Sequence, residues 1–258
     1  MKRGYHVIFK LVSFFFFGLG GAVFSLVFLP LFLLFVHPAA ARKRALRRWA
    51  SKSFHLFTGF MSLVGVVKLD DSETEDLHRD VPSLICANHP SLLDVVFLIS
   101  LIPNADCIVK AGHWKNPFLR IILSSMYIPN SLNVEDTVEA CRKSLDEGNH
   151  IILFPEGTRT PPGEELPRFH RSAAQIALRT GHDIVAVKIG CSEHSGLGKG
   201  DKIWDSPPGG VIRYSLHGQG ILPFESYKDM SVPVGARQLT KDLKSAIFHN
   251  HNKTEDCL

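Results

Sequence analysis

A histidine and an aspartate, His89 and Asp94, stand five positions apart in "NHPSLLD" (88–94), between an apolar run ending at Ala87 and a second one, "VVFLIS". An imidazole beside a carboxylate can serve as a general base, because the carboxylate holds one ring nitrogen and leaves the other to take a proton. The spacing restricts how the two can meet. On one continuous helix they would lie about 140° apart around the axis. They meet when His89 precedes the helix and Asp94 lies in its first turn. Ser91 and Asp94 also read as a capping box, Ser-x-x-Asp, ahead of an apolar helix. The two readings are compatible, since the cap accounts for Ser91 and Asp94 but not for His89. In a second stretch, "HIILFPEGTRT" (150–160), an apolar strand ends at Phe154 and the chain turns through Pro155 and Gly157. That sets Glu156, Thr158 and Arg159 at the C-terminal edge of a strand, where open α/β sheets bind ligands. Arg159 suits bidentate contact with a phosphate, and Thr158 offers one more hydrogen bond.

The elements that must position these residues follow from pattern. Short apolar runs at 64–69, 83–87, 106–110, 150–154, 183–190 and 211–216 read as strands. Helical periodicity covers 92–101, about 116–125, 134–147, 168–180 and 234–249, with Gly148 suited to cap the third of these. Polar loops are expected at 70–80 and 192–210. Strands alternating with helices predict an α/β fold, a mixed sheet flanked by helices. With 258 residues, 45% hydrophobic and 21% charged, the chain is long enough for one sizeable domain and too apolar for disorder. A net charge of +4 does not call for a nucleic-acid partner. The five cysteines form no Cys-x-x-Cys pair, which points to a reducing compartment. No His, Cys and carboxylate set has metal-ligand spacing, so neither a metal nor another cofactor is expected.

The N-terminus has a different character. From Leu11 to Ala41 there is no charged residue. A hydrophobic helix over 11–36 exceeds the roughly 20 residues a bilayer core requires, and it is too long for a signal peptide. Arg42, Lys43, Arg44, Arg47 and Arg48 follow it, whereas Lys2, Arg3 and Lys10 precede it. The heavier charge after the segment places the rest of the chain on the cytoplasmic face of a membrane. Gly18, Gly20, Gly21 and Pro30 also allow a bent segment lying in the membrane plane. Residues 42–64 begin basic and become apolar, with Phe54, Phe57, Phe60 and Met61 at helical spacing. They are expected to form a basic amphipathic helix on anionic lipid, with Trp49 near the interface; an ordinary helix packed on the domain is the alternative. This divides the chain into a membrane-anchoring segment, 1–65, and a domain, 66–258, with its motif-bearing core at about 80–190.

Taken together, "NHPSLLD" and "FPEGTR" resemble the glycerolipid acyltransferase family, whose best known members acylate 1-acylglycerol-3-phosphate. That family's Asn-His-x-x-x-x-Asp motif matches Asn88, His89 and Asp94, and its Phe-Pro-Glu-Gly-Thr-Arg motif matches Phe154 to Arg159 at every position. The resemblance covers roughly residues 45–225 and implies an α/β acyltransferase domain with a membrane-associated N-terminal part. It implies His89 and Asp94 as the catalytic pair. Glu156, Gly157, Thr158, Arg159 and Lys110 would bind substrate, with Arg171 adding anion contact at a helix N-terminus. The acyl donor would be acyl-carrier protein or acyl-CoA, and the other partners membrane lipids. Lys110, Pro117, Phe118, Tyr127 and Ile128 fit a weaker family motif, but Asn130 stands where arginine is expected, Ala186 where proline is, and Ser172 where glycine is. These departures leave a specialised or amino-acid-headed lysolipid as an alternative acceptor. A non-catalytic lipid-binding protein is the remaining alternative.

Overall fold

The computed structural model describes residues 2–110, 127–130, 133–161, 163 and 166–249. Its centre is a seven-stranded mixed sheet in the order β1-β7-β6-β2-β5-β3-β4. The strands are β1 (Val67–Glu73), β2 (Leu84–Ala87), β3 (Ala105–Lys110), β4 (Ile128–Asn130), β5 (His150–Leu153), β6 (Ile184–Cys191) and β7 (Ile212–Leu222). β6, β2, β5, β3 and β4 run parallel, β7 is antiparallel to β6, and β1 is parallel to β7. Every residue of β2 and of β5 is buried, as expected of central parallel strands with both faces covered. On β2, Ile85 and Ala87 enter one core layer and Leu84 and Cys86 the other.

The first layer is covered by α3 (Ala39–Leu63) and α4 (Asp94–Leu101). The second is covered by α5 (Val134–Asp146), α6 (Ser172–Thr180) and α7 (Val232–His249). Gly148 lies beyond the end of α5 with φ +86, as the sequence predicts. The expected strand at 64–69 begins at Val67 and continues through the expected polar loop to Glu73, because β7 supplies ladder partners out to His217. β7 outruns its expected end at 216 for the same reason: its pairing with β6 continues to Leu222 beside Ile184. β4 escapes the sequence pattern because it is three residues long, carries Pro129 and lies at the sheet edge. The helix expected at about 116–125 and the tail after 249 lie outside the described residues.

The N-terminal rod is α1 (Lys2–Val23), a π-turn at Phe24–Phe28, and α2 (Leu29–Phe35). Pro30 follows the π-turn at the start of α2, where a missing N–H is tolerated. Gly4–Phe35 is long and apolar enough to cross a membrane. Its 32 residues extend about 48 Å. The rod does not stand alone: it runs back along α3. Near its start, Tyr5 Oη donates to Val64 O and the Lys10 ammonium to Ser195 O at 2.8 Å. Farther along, Phe24 stacks on Trp49 at 4.0 Å and, with Leu29, packs on Leu46 and Ala50.

The lipid-surface expectation for 42–64 is corrected on one face. Phe57 and Met61 are buried in the core beside α4, and Phe54 packs against it. Arg47 is also buried: Nε and Nη2 grip Asp106 at 2.6 and 2.8 Å, and Nη1 reaches Asn149 Oδ1 at 3.0 Å. Trp49 meets Phe24 instead of an interface. The ordinary-helix alternative holds for this face, because a helix that must bridge the rod and the sheet spends its aromatic stripe on both. Leu56 and Leu63 stay exposed. The boundary expected at 65/66 therefore cuts through a shared core.

Candidate active site

β2 and β5 are neighbours, with Cys86 beside Leu153. Two motifs far apart in sequence thus emerge side by side at one sheet edge. Asn88 extends the order one step past β2: its amide donates to Ile189 O at 2.8 Å and accepts from Ile189 N–H at 2.7 Å, replacing ladder bonds with side-chain bonds. The backbone of His89 is then held on both sides. Its N–H donates to Glu156 Oε1 at 3.0 Å, and its carbonyl accepts from Thr160 N–H at 2.7 Å. The imidazole stacks on Phe154 at 4.2 Å.

His89 Nδ1 lies 2.6 Å from Asp94 Oδ2. A carboxylate accepts here, so Nδ1 carries the proton and Nε2 presents a lone pair. Among the described residues Nε2 has no partner. The His89 side chain retains 20% exposure while that of Asp94 has none. Asp94 is held by three further donors: Ser91 N–H at 2.9 Å to Oδ2, Ser91 Oγ at 2.7 Å to Oδ1, and the Tyr214 hydroxyl to Oδ1. Ser91 Oγ also accepts from Leu93 N–H at 3.1 Å. Half of the expected capping box is present, Asp94 accepting the Ser91 N–H, while Ser91 Oγ takes the Leu93 N–H in place of that of Asp94; both bonds belong to the turn before α4. The regular helix begins at Asp94, and Leu93 caps it without a side-chain bond.

Tyr214 escapes sequence reasoning. It belongs to no motif and lies in β7, remote in sequence and reached only through the sheet. Its ring stacks on Phe97 at 4.1 Å. Burial, reinforced by Asp94, raises its hydroxyl well above the ordinary phenol range, so it remains a donor. Thr160 was missed as well, although it adjoins the second motif. Its hydroxyl lies 2.9 and 2.8 Å from the two Glu156 oxygens.

The other expected site residues are placed differently from one another. Glu156 is buried and faces His89 and Thr160. Burial raises its carboxyl, opposed by the Thr160 hydroxyl and the His89 N–H. Gly157 has φ +66, and a Cβ there would lie 3.3 Å from the His170 ring. Thr158 is exposed. Arg159 Nη1 donates to Leu197 O and Gly198 O at 3.0 and 2.9 Å, so part of its fork holds the 192–210 loop. Arg171 is exposed immediately before α6. Lys110 ends β3 beside Asn130 of β4; its side chain lies outside the described residues. Lys188 on β6 has its ammonium 4.0 Å from the Phe248 ring centre, and burial lowers it to about 8 against an opposing pull from Glu156. An apolar cleft of about 860 Å³ runs between α1 and α3, lined by Phe16, Phe24, Trp49, Phe57 and Tyr127 among others. Neither His89, Asp94 nor Glu156 borders it.

The chain is similar to known proteins in sequence and in fold. Residues 68–190 match the family model described as Acyltransferase. The chain is 29% identical over 146 residues to the chloroplastic 1-acyl-sn-glycerol-3-phosphate acyltransferase of Arabidopsis thaliana, covering 55% of this chain and 38% of the relative. It is 32% identical over 100 residues to the Helicobacter pylori 1-acyl-sn-glycerol-3-phosphate acyltransferase, covering 36% of this chain and 42% of the relative. The chain thus spans about two fifths of the length of these relatives. The crystal structure of the 1-acyl-sn-glycerophosphate acyltransferase from Thermotoga maritima shares the fold, with a TM-score of 0.70 at 17% identity over 95% of both chains. Over residues 68–190 the chain is similar to the acyltransferase family.

Proposed function

We propose that this protein transfers a fatty acyl group from a thioester, on acyl-carrier protein or coenzyme A, to the free hydroxyl of 1-acylglycerol-3-phosphate, giving phosphatidic acid. The observation that carries this reading is the His89–Asp94 pair, with Nδ1 spent on the carboxylate and the side chain partly exposed, its Nε2 without a partner among the described residues. Nε2 takes the proton of the acceptor hydroxyl as its oxygen attacks the thioester carbonyl. The carbonyl becomes a tetrahedral oxyanion, and Asp94 stabilises the imidazolium beside it. Collapse re-forms the carbonyl as an ester and breaks the carbon–sulfur bond. The departing thiolate recovers the proton from Nε2. The nucleophile comes from the acceptor, so no acyl-enzyme is needed, and Ser91 is already committed to Asp94 and Leu93.

Glu156 acts through the His89 backbone. Thr158, Arg171 and the uncommitted nitrogens of Arg159 are assigned to the phosphate of the acceptor, together with Lys110. The partial commitment of Arg159 to loop carbonyls, combined with Asn130 in place of arginine, favours one second reading, a lysolipid acceptor with a different head group. The rod α1–α2 runs along α3, from Tyr5 at Val64 to Leu29 beside Leu46 and Ala50, so we assign it an in-plane membrane seat with the domain on the cytoplasmic face. The test is turnover of the purified protein with either donor and a set of lysophospholipids. His89→Ala is expected to lower it by about 10²–10⁴ while the fold and membrane binding persist. Turnover within a few-fold of the parent would refute the assignment of His89.

A further inference from the structure

Lys202 to Asp205 is a tight turn. Asp205 N–H donates to Lys202 O and Lys202 N–H to Asp205 Oδ2, both at 2.8 Å. Turn centres ordinarily hold Gly, Pro, Asn, Asp or Ser, whose backbone or side chains suit the bend. Here they are Ile203 and Trp204, 43% and 61% exposed. A lone apolar side chain at a protein surface is ordinary, but three features set this pair apart.

The turn is braced, so its exposed tip is held in place. Asp201 accepts from Gly196 and Gly198 N–H at 2.9 and 3.1 Å, Arg159 holds Leu197 O and Gly198 O, and Leu197 is anchored in the core. The turn also adjoins the rod. The Lys10 ammonium of α1 bonds Asp205 O, the carbonyl next to Trp204, as well as Ser195 O. The turn thus meets α1 on its buried side, while the exposed Ile8, Leu11 and Phe15 lie around the far side of the same helix. Finally, tryptophan suits the boundary between head groups and acyl chains, and the tip adds no net charge to oppose that seat, Lys199 and Lys202 being balanced by Asp201 and Asp205.

We infer that the Ile203–Trp204 turn is a second lipid contact, dipping into the interface of a bilayer beside α1 and seating the catalytic edge against the membrane. This rests on the reading of α1–α2 as membrane-embedded. Because Arg159 and Lys10 grip the same loop, the contact links the membrane seat to the second motif of the site.

The experiment uses the full chain in vesicles of phosphatidylcholine and phosphatidylglycerol, with Trp49→Phe and Trp114→Phe leaving Trp204 as the sole tryptophan. Emission from Trp204 is expected to shift to the blue and to be quenched by lipids brominated near the glycerol end of their chains. Cosedimentation with vesicles reports the rod separately. Protein that cosediments while Trp204 emits as in water, unquenched, overturns the inference and leaves the rod in the membrane. Emission that is blue-shifted but unquenched overturns it in favour of a protein covering the turn. Protein that does not cosediment overturns both. Trp204→Asp in the otherwise unchanged chain provides a second measure. Turnover of acceptor presented in vesicles should fall several-fold, with turnover in detergent micelles unchanged. Equal rates in the two settings would oppose the inference.

Discussion

Replacing Tyr214 by Phe removes one oxygen from the site and nothing else. The ring keeps its stack on Phe97, and no cavity opens. What is lost is one of four hydrogen bonds to the Asp94 carboxylate, from the oxygen that Ser91 Oγ also serves. A hydrogen bond to a charged group contributes about 1.5–3 kcal/mol. Three donors remain, so the low end applies: about 1.5 kcal/mol carried into the orientation of His89, or roughly a tenfold fall in kcat. KM should be unchanged, since Tyr214 is buried behind Asp94 and acts as a positioning residue. Ser91→Ala and the double variant complete a cycle. Because both hydroxyls serve Oδ1, their effects on kcat should be non-additive, whereas unrelated sites would add. The assays are steady-state kinetics and thermal unfolding on the same three proteins. If Tyr214→Phe lowers the melting temperature but leaves kcat intact, Tyr214 only stabilises the fold and the argument fails.

Glu156→Gln retains an acceptor for the His89 N–H and a partner for Thr160, so it should keep most of its turnover; Glu156→Ala frees the loop and should lose about tenfold to a hundredfold. A large loss in the Gln variant, read as a rise in KM, would instead make the carboxylate charge a direct substrate contact. Lys188 is lowered from 10.5 to about 8 in the fold, chiefly by burial. Below pH 8 the fold therefore carries the cost of a buried charge, and the cost is relieved as pH rises from 8 toward 10.5. Lys188→Met should stabilise the protein at pH 7 by about 1–2 kcal/mol, discounted for the water that still reaches the ammonium. That advantage should shrink by pH 10; a pH-independent difference in melting temperature would contradict it.

The His89–Asp94 contact was legible in the sequence because it is local. His89 and Asp94 are placed by a strand end, a turn and one helical turn, and a five-residue spacing is enough to specify that. The strand-end position of Glu156 and Arg159 followed from a buried run stopped by Pro155 and Gly157. What those residues bond to was not local. Glu156 and Arg159 look like substrate ligands in the linear motif, but only the neighbouring of β2 and β5 turns Glu156 onto the His89 backbone. Only the folded 192–210 loop draws in Arg159. Tyr214 reaches Asp94 across the sheet, from a strand whose apolar pattern carries no sign of it. Arg47 shows the same limit in the other direction: charge and periodicity placed it on lipid, yet its partners Asp106 and Asn149 lie on the far side of the chain and outbid solvent by enclosing it. Sequence periodicity reports which face of a helix is apolar. It does not report what covers that face, because that is decided by elements distant in the chain, and here the rod and the sheet divide α3 between them.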